Sequence, residues 1–425
     1  MGAVITGIGL LTPTGVGIAE YWASTTAGTS AVGELTRFDA SRYPARLAAE
    51  VTGLDPAEHL PARLLPQTDR MTQLALLASD RAFADAGLVP AELPEFRAGV
   101  LTASSSGGFE FGHRELHNLW SQGPQYVSAY QSFAWFYAVN SGQISIRHGL
   151  RGAGGVVVAE QAGGLDALGA ARRRLRDGEL ETVATGGMES SLSPWGWAAY
   201  LASGRLSTRT DPARAYLPFG EDANGWVPGE GGAILVLEDE TAALARNARS
   251  YGSLAGYAST FDPAPRSGRP PTLRRAAELA LEDAGCSSSD IDAVFADGAG
   301  VPELDAAEAD AIRGLFGPDG VPVTVPKAGT GRLSSGAGPV DVAAALLAAS
   351  TGVLPPTANV PAPRAGYRID LVTRPRTARV RTALVLARGH GGFNSAVVLR
   401  APAEPVRLAS PDSPGAAETT EGVRR

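Results

Sequence analysis

Short apolar runs alternate with amphipathic stretches along nearly the whole chain, and the two periods change places in a regular order. Val156-Val157-Val158 is an apolar strand that enters a small-residue turn, Ala159-Glu160-Gln161-Ala162-Gly163-Gly164. Leu165, Leu168 and Leu175 then fall on one side of a helix, and Glu181 to Thr185 reads as the next strand. In the second half, Ile291 to Phe295 and Val321 to Val325 are predicted strands, and Val340 to Ala349 is an apolar helix after Ser334-Ser335-Gly336. Each half closes on a similar strand behind glycine turns, Gly232 to Glu238 in the first and Ser395 to Arg400 in the second. Strands alternating with helices predict α/β units whose sheets are buried on both faces. The chain is thus expected to be built twice on one plan, residues 1–250 and 251–402, with the boundary in the Pro-, Gly- and Ser-rich stretch Tyr251 to Pro271. Residues 403–425 are rich in Pro, Ser, Glu and Thr with almost no apolar side chains, and a disordered tail is expected there.

The turn at 159–164 is where chemistry is expected. A strand-to-helix elbow holds one side chain beside the free backbone N–H groups of the next helix, where a Cys or Ser attacks a carbonyl. Gln161 takes the exposed position of this elbow, and an amide is no nucleophile. Val158 to Gly164 resembles the active-site segment of the ketosynthases of fatty acid and polyketide synthesis, with Gln161 in place of the acyl-accepting Cys. Further segments resemble ketosynthase landmarks in the same order: Val4-Ile5-Thr6-Gly7-Ile8-Gly9 with Thr12-Pro13, then Pro218-Phe219-Gly220, then Gly229 to Ala233. The two catalytic histidines of that family are replaced, by Asp297 in Ala296-Asp297-Gly298 and by Arg332 in Lys327-Ala328-Gly329-Thr330-Gly331-Arg332. Lys327 stays, and His390 in Gly389-His390-Gly391-Gly392 stands where a phenylalanine is expected. This combination is similar to the chain length factor, the KS-beta subunit of type II aromatic polyketide synthases.

The resemblance implies a thiolase-like fold, α/β, with two duplicated halves stacked as five alternating layers (αβαβα). It also implies a chain that does not condense by itself. Claisen condensation needs a thiolate to hold the growing chain and two imidazoles to stabilise the enolate formed on decarboxylation. Gln161, Asp297 and Arg332 supply none of these, and a guanidinium does not exchange its proton near neutral pH. Gln161, Asp297, Lys327, Arg332 and His390 are therefore expected to form a vestigial site, with Asp297 and Arg332 facing each other as an ion pair. The implied partners are a cysteine-bearing ketosynthase alpha subunit in a pseudo-symmetric heterodimer, an acyl carrier protein, and the growing poly-β-keto chain. Phosphopantetheine would enter on the carrier protein, and no bound cofactor is expected of this chain. Two alternatives stay open. One is a malonyl-carrier-protein decarboxylase of the Gln type, although such domains keep both histidines; the other is a partnerless homodimeric acyl-binding scaffold.

Two segments carry expectations about specificity. If Gly107 to Leu116 is helical, Phe109, Gly112 and Leu116 fall at i, i+3 and i+7 and share a face, by spacing alone an ordinary core stripe. In chain length factors the matching helix lines the end of the polyketide tunnel, so the resemblance makes these three residues tunnel wall and Gly196 a source of added room. The missing side chain at Gly112 and the modest one at Leu116 predict a roomy tunnel and products of decaketide length or beyond, unless neighbouring side chains close the gap. The run from Tyr126 to Val139 holds Tyr126, Tyr130, Phe133, Trp135, Phe136 and Tyr137, a concentration that stands out in a chain only 7% aromatic. Such a run suits a buried core or an obligate interface; the resemblance favours the interface with the alpha subunit.

Composition narrows the remaining classes. No apolar run reaches the ~18 residues of a membrane span, and the first residues lack a basic segment followed by an apolar signal core, so a cytoplasmic location is expected. A single cysteine, Cys286, rules out an intramolecular disulfide and a cysteine-based zinc cluster. His113 and His117 lie four apart on a predicted helix without a third ligand, and no metal site is expected. The formal charge of -7 weighs against a nucleic-acid partner. Gly7-x-Gly9 lacks the third glycine of a dinucleotide fingerprint.

Overall fold

The structure is a computed structural model that describes residues 2–264 and 266–402, so the tail expected at 403–425 lies outside the described residues. In chain order the first half is built on β1 (Ala3–Thr12), α1 (Arg70–Asp85), β2 (Ala98–Ala103), α2 (Phe109–Gln122), β3 (Gly154–Val157), α3 (Gly163–Arg176), β4 (Thr182–Glu189), α4 (Pro194–Ala202) and β5 (Gly231–Asp239). The second half is built on β6 (Gly252–Phe261), α5 (Leu273–Ala284), β7 (Ala293–Phe295), α6 (Pro302–Phe316), β8 (Pro322–Thr324), α7 (Ala337–Thr351), β9 (Thr382–Arg388) and β10 (Phe393–Arg400).

The two halves repeat one strand order, β3-β2-β4-β5-β1 and β8-β7-β9-β10-β6. In each, the first three strands of that order are parallel to one another and the remaining pairs are antiparallel, and in the second half a short strand at Asp370–Leu371 pairs parallel outside β8. The sheets meet where β1 and β6 pair through Val4 with Ser253 and Ile5 with Gly252. α1 packs on β1 and β5, and α5 packs on β6 and β10, as outer layers. α3 and α7 lie between the sheets and share a core in which Leu165 and Leu168 join Val340 and Leu346. The composition of α7 explains its place: Ala337 to Ala348 are all buried, and a helix that is apolar all round must be covered all round. β1 is likewise buried along its full length, as a strand with helices on both faces requires. The result is the five-layer αβαβα stack.

The boundary stretch Tyr251 to Pro271 holds regular structure: Gly252–Phe261 is the ten-residue strand β6, and the described residues between Phe261 and α5 are irregular. Its inward positions begin Gly252, Leu254, Gly256, so the period-two signal is written partly in glycine, which reads as a loop. The glycine at 256 is there for close approach: a side chain would run into the Ala280 carbonyl of α5 and lie 2.8 Å from the Ala284 Cβ. Among the described residues, no helix is long and apolar enough to cross a membrane.

Candidate functional site

The elbow follows β3. Glu160 takes a left-handed φ of 47°, Glu160–Ala162 form a single 3₁₀ turn, and α3 starts at Gly163. The reversal at Glu160 turns Gln161 inward against Ser334–Gly336. Gln161 is therefore not the exposed tip of the elbow, as the sequence led us to expect; it is 0% exposed, and Val158 is the residue that faces outward. Neither Oε1 nor Nε2 of Gln161 has a hydrogen-bond partner among the described residues.

Asp297 and Arg332 do meet. The guanidinium reaches both carboxylate oxygens of Asp297, at 3.0 and 3.4 Å, and both side chains are buried. The Arg388 backbone closes the ring: its N–H donates to Asp297 Oδ1 at 3.0 Å, and its carbonyl accepts from Arg332 at 3.1 Å. Burial by itself would raise the Asp297 carboxyl, but the charges of Arg332 and Lys327 and the hydrogen bonds from Arg332 and Arg388 hold it below the usual carboxylate range. Burial would lower the guanidinium, and Asp297 more than offsets this, keeping Arg332 charged. Lys327 lies behind the pair, buried, with Nζ donating to the Ala296 carbonyl at 2.6 Å and lying 2.6 Å from Asp341 Oδ2. The Asp341 carboxyl is pushed up to about 6 by burial, against the pull of Lys327. His390 does not join this cluster: it is exposed, its backbone N–H donates to Glu160 at 3.0 Å, and its ring lies 3.4 Å from Arg205.

Two buried carboxylates of α6 hang the loop that carries Asp297. Glu308 accepts from the N–H groups of Asp297 and Gly298 at 2.7 and 2.8 Å, and Asp305 accepts from Gly300 and Phe219 at 2.9 and 2.8 Å. Gly298 and Gly300 both take positive φ, which lets this loop turn its N–H groups toward the helix. Burial pushes both carboxyls up to about 7. The sequence reading missed these two residues and Arg388. The i, i+3 acids of Asp305 and Glu308 were visible just after the Asp-Gly-Ala-Gly loop, but nothing in the sequence marks them as buried.

A cavity of about 850 Å³ runs past the ion pair. Asp297, Arg332 and His390 line one part, and Phe109, Gly196 and Tyr200 line another, but Gln161 is not on its wall. In α2, Phe109 and Gly112 do lie together, yet Gly112 opens no room. A Cβ there would sit 3.0 Å from Cζ3 of Trp195, whose indole stacks on Phe109 at 4.5 Å between centroids and 4° between planes. Gly196 adds no room either, because a side chain at that position would run into the Ser191 carbonyl. The expected roominess is corrected on both counts: one glycine seats an indole, the other a backbone. Leu116 is half-buried to exposed on the outer face of the same helix.

The aromatic run is not a core. Tyr126, Trp135 and Phe136 are exposed, and Tyr130, Phe133 and Tyr137 are only partly buried. Three further large apolar side chains that the sequence reading did not assign are also exposed, namely Trp120 (83%), Ile146 and Val158. Beside it lies β3, whose outer edge is the free end of the first sheet.

A strand-to-helix elbow that carries an amide in place of a thiol, in a duplicated five-layer fold with Asp297 and Arg332 paired where the resemblance expects two imidazoles, defines a ketosynthase-type protein. The family profile "Beta-ketoacyl synthase, N-terminal domain" matches residues 3–243, and "Beta-ketoacyl synthase, C-terminal domain" matches residues 251–361. The chain is 60% identical to the actinorhodin polyketide beta-ketoacyl synthase 2 of Streptomyces coelicolor, covering 94% of this chain and 98% of that one. It is 58% identical to the tetracenomycin polyketide synthase ketoacyl synthase beta subunit of Streptomyces glaucescens, covering 93% and 98%. The chain belongs to the β-ketoacyl synthase family, in its KS-beta or chain length factor branch of type II polyketide synthases. Among solved structures it is similar to the ishigamide ketosynthase/chain length factor, with a TM-score of 0.86 at 28% identity over 94% of this chain and 99% of that one. It is similar as well to a type II polyketide synthase acyl-carrier protein complex with its ketosynthase bound to the hexaketide, with a TM-score of 0.85 at 27% identity over 94% and 99%.

Proposed function

We infer that this chain is the non-nucleophilic partner of a cysteine-bearing ketosynthase alpha subunit and that it sets the number of malonyl extensions by shaping the tunnel in which the poly-β-keto chain grows. The observation that carries this reading is the buried Asp297–Arg332 pair. Both groups keep their charge at neutral pH, so neither donates or accepts the proton an imidazole would, and Asp297 would repel a developing enolate. Gln161 offers no nucleophile and does not reach the cavity. The partner follows from the exposed aromatic face beside the free edge of β3, since a contiguous apolar face and an unpaired strand edge are both surfaces that proteins cover. The alpha subunit would take acyl groups from a phosphopantetheine-bearing acyl carrier protein, and this chain would need no cofactor of its own.

Co-expression with a cysteine-bearing ketosynthase alpha subunit tests the reading. A 1:1 complex that makes polyketide from malonyl-carrier protein, where neither chain does so alone, is the expected result. A chain that stays homodimeric in the presence of that subunit would favour the partnerless scaffold.

A further inference from the structure

No nucleophile and no imidazole pair serves the cavity beside Asp297 and Arg332, yet it keeps about 850 Å³, within the roughly 300–1,000 Å³ of small-molecule sites. Its wall is strained. Glu160 and Ser334 both line it, and both hold a left-handed φ of 47° although neither is glycine; strain of this kind gathers at ligand clamps and active sites. The turn that buries Gln161 brings the Glu160 carboxylate to the cavity instead. Its Oε2 accepts from the His390 N–H at 3.0 Å, and its Oε1 has no hydrogen-bond partner among the described residues. Ser105 Oγ, on the same wall, is buried and also without a partner among the described residues. Arg205 lies 3.4 Å from the ring of His390 and has no carboxylate partner among the described residues. Trp226 gives the cavity an aromatic side, edge to face with Tyr200 at 5.5 Å between centroids. The mouth lies at Arg269, Glu303 and His390, which line the cavity and are exposed.

We propose that this cavity is a binding site for a flat, hydroxylated aromatic molecule, the class of product that a poly-β-keto chain becomes once it cyclises and loses water. The ligand class rests on the function proposed above. Charge, hydrogen bonding and shape each select it. Four arginines and four carboxylates line the cavity, so net charge favours neither a phosphate nor a carboxylate. A phenol donates and a ring carbonyl accepts, and the wall holds the complement of each: the open Glu160 oxygen takes the phenol proton, while Arg205 and the Ser105 hydroxyl donate to the carbonyl. A linear chain of ketones offers acceptors only and would leave the Glu160 carboxylate without a donor, which is costly in a site closed to water. Trp226 and Tyr200 add the ring contacts that a planar molecule fills best. The site takes a finished product and performs no step on it.

Calorimetry with alizarin, a dihydroxyanthraquinone, tests the site on this full chain, with alizarin dimethyl ether as a probe of the same rings and carbonyls but no hydroxyl, and inorganic phosphate as a probe of charge alone. Alizarin is expected to bind one to one, the ether about tenfold more weakly, and phosphate not at all. Ala307→Phe, which fills the cavity from α6, is expected to weaken alizarin by about tenfold or more. Glu160→Gly, which suits the left-handed φ and removes the carboxylate, is expected to bring alizarin down to the affinity of the ether; Arg205→Ala carries the same test on the carbonyl side if the glycine variant does not fold. Absence of alizarin binding to wild type would overturn the proposal, as would equal affinity for the ether or full affinity in both Ala307→Phe and Arg205→Ala. A pair with the alpha subunit that makes no polyketide would overturn the chain-length reading instead, and the calorimetry, which uses this chain alone, keeps the two failures apart.

Discussion

At the scale of single residues, the site is held by charges that cannot be removed one at a time. Asp297 and Arg332 are both buried, and each is the other's main compensation. Removing one partner of such a pair leaves an uncompensated buried charge, at about 3–5 kcal/mol. Asp297→Ala is therefore expected to unfold at much lower urea concentration than wild type, while Asp297→Leu combined with Arg332→Leu recovers part of the loss; an Asp297→Ala protein that melts like wild type would contradict the pairing. Gln161 is the opposite case. Its amide is buried with both polar atoms unpaired among the described residues, and a buried group without partners is destabilising by ~1–3 kcal/mol. Gln161→Met keeps the length of the side chain and removes that penalty, so it is expected to raise the melting temperature; a lower one would mean that the amide is hydrogen-bonded in solution. Residue motifs carried this much of the site. The meeting of Asp297 with Arg332, with Lys327 behind them, was legible because each sits in a short sequence landmark, whereas Asp305, Glu308 and Arg388 were not, because nothing in the sequence shows that they turn onto the Asp297 loop.

At the scale of elements, the Asp297 loop takes its shape from α6, through the Asp305 and Glu308 carboxylates. This gives a pH dependence with a definite sign. Glu308 has a folded pKa of about 7, above the ~4.3 of a carboxyl in the unfolded chain, so the native state holds a proton that the unfolded state has released. The stabilisation tied to that proton is full below the unfolded value and is lost as pH rises through the folded one. Between pH 5 and 7, wild type is therefore expected to lose stability relative to Glu308→Gln by about 1.4 kcal/mol per pH unit, measurable as a difference in the pH slopes of their denaturation midpoints; parallel slopes would contradict it. Element prediction from the sequence worked where side chains mark burial. The leucines of α3 and the all-apolar α7 are legible, while β6 is not marked as a strand because its inward positions are partly glycine. Periodicity reports side chains, and glycine has none.

At the scale of the whole molecule, the duplicated plan was legible in repeated strand and helix patterns, but the exposed apolar surface was legible only in part. Six aromatics clustered in one run could be seen; the exposure of Trp120, Ile146 and Val158, scattered singly along the sequence, shows only in the fold. A face of this kind concentrates binding energy in a few large side chains. Trp120→Asp and Trp135→Asp are each expected to weaken the complex with the alpha subunit by roughly 30-fold or more, the equivalent of about 2 kcal/mol, with an unchanged melting temperature for the isolated chain; wild-type affinity in both would place the interface elsewhere.

The central claim is that this chain contributes shape and no chemistry, and turnover of malonyl-carrier protein addresses it most directly. Carbon dioxide release and polyketide formation should be followed for this chain alone, for the alpha subunit alone, and for the pair. The account predicts polyketide from the pair only, no turnover by this chain alone, and no effect of Gln161→Ala on the isolated chain. Carbon dioxide release by this chain alone that Gln161→Ala abolishes would contradict it and make the chain a decarboxylase.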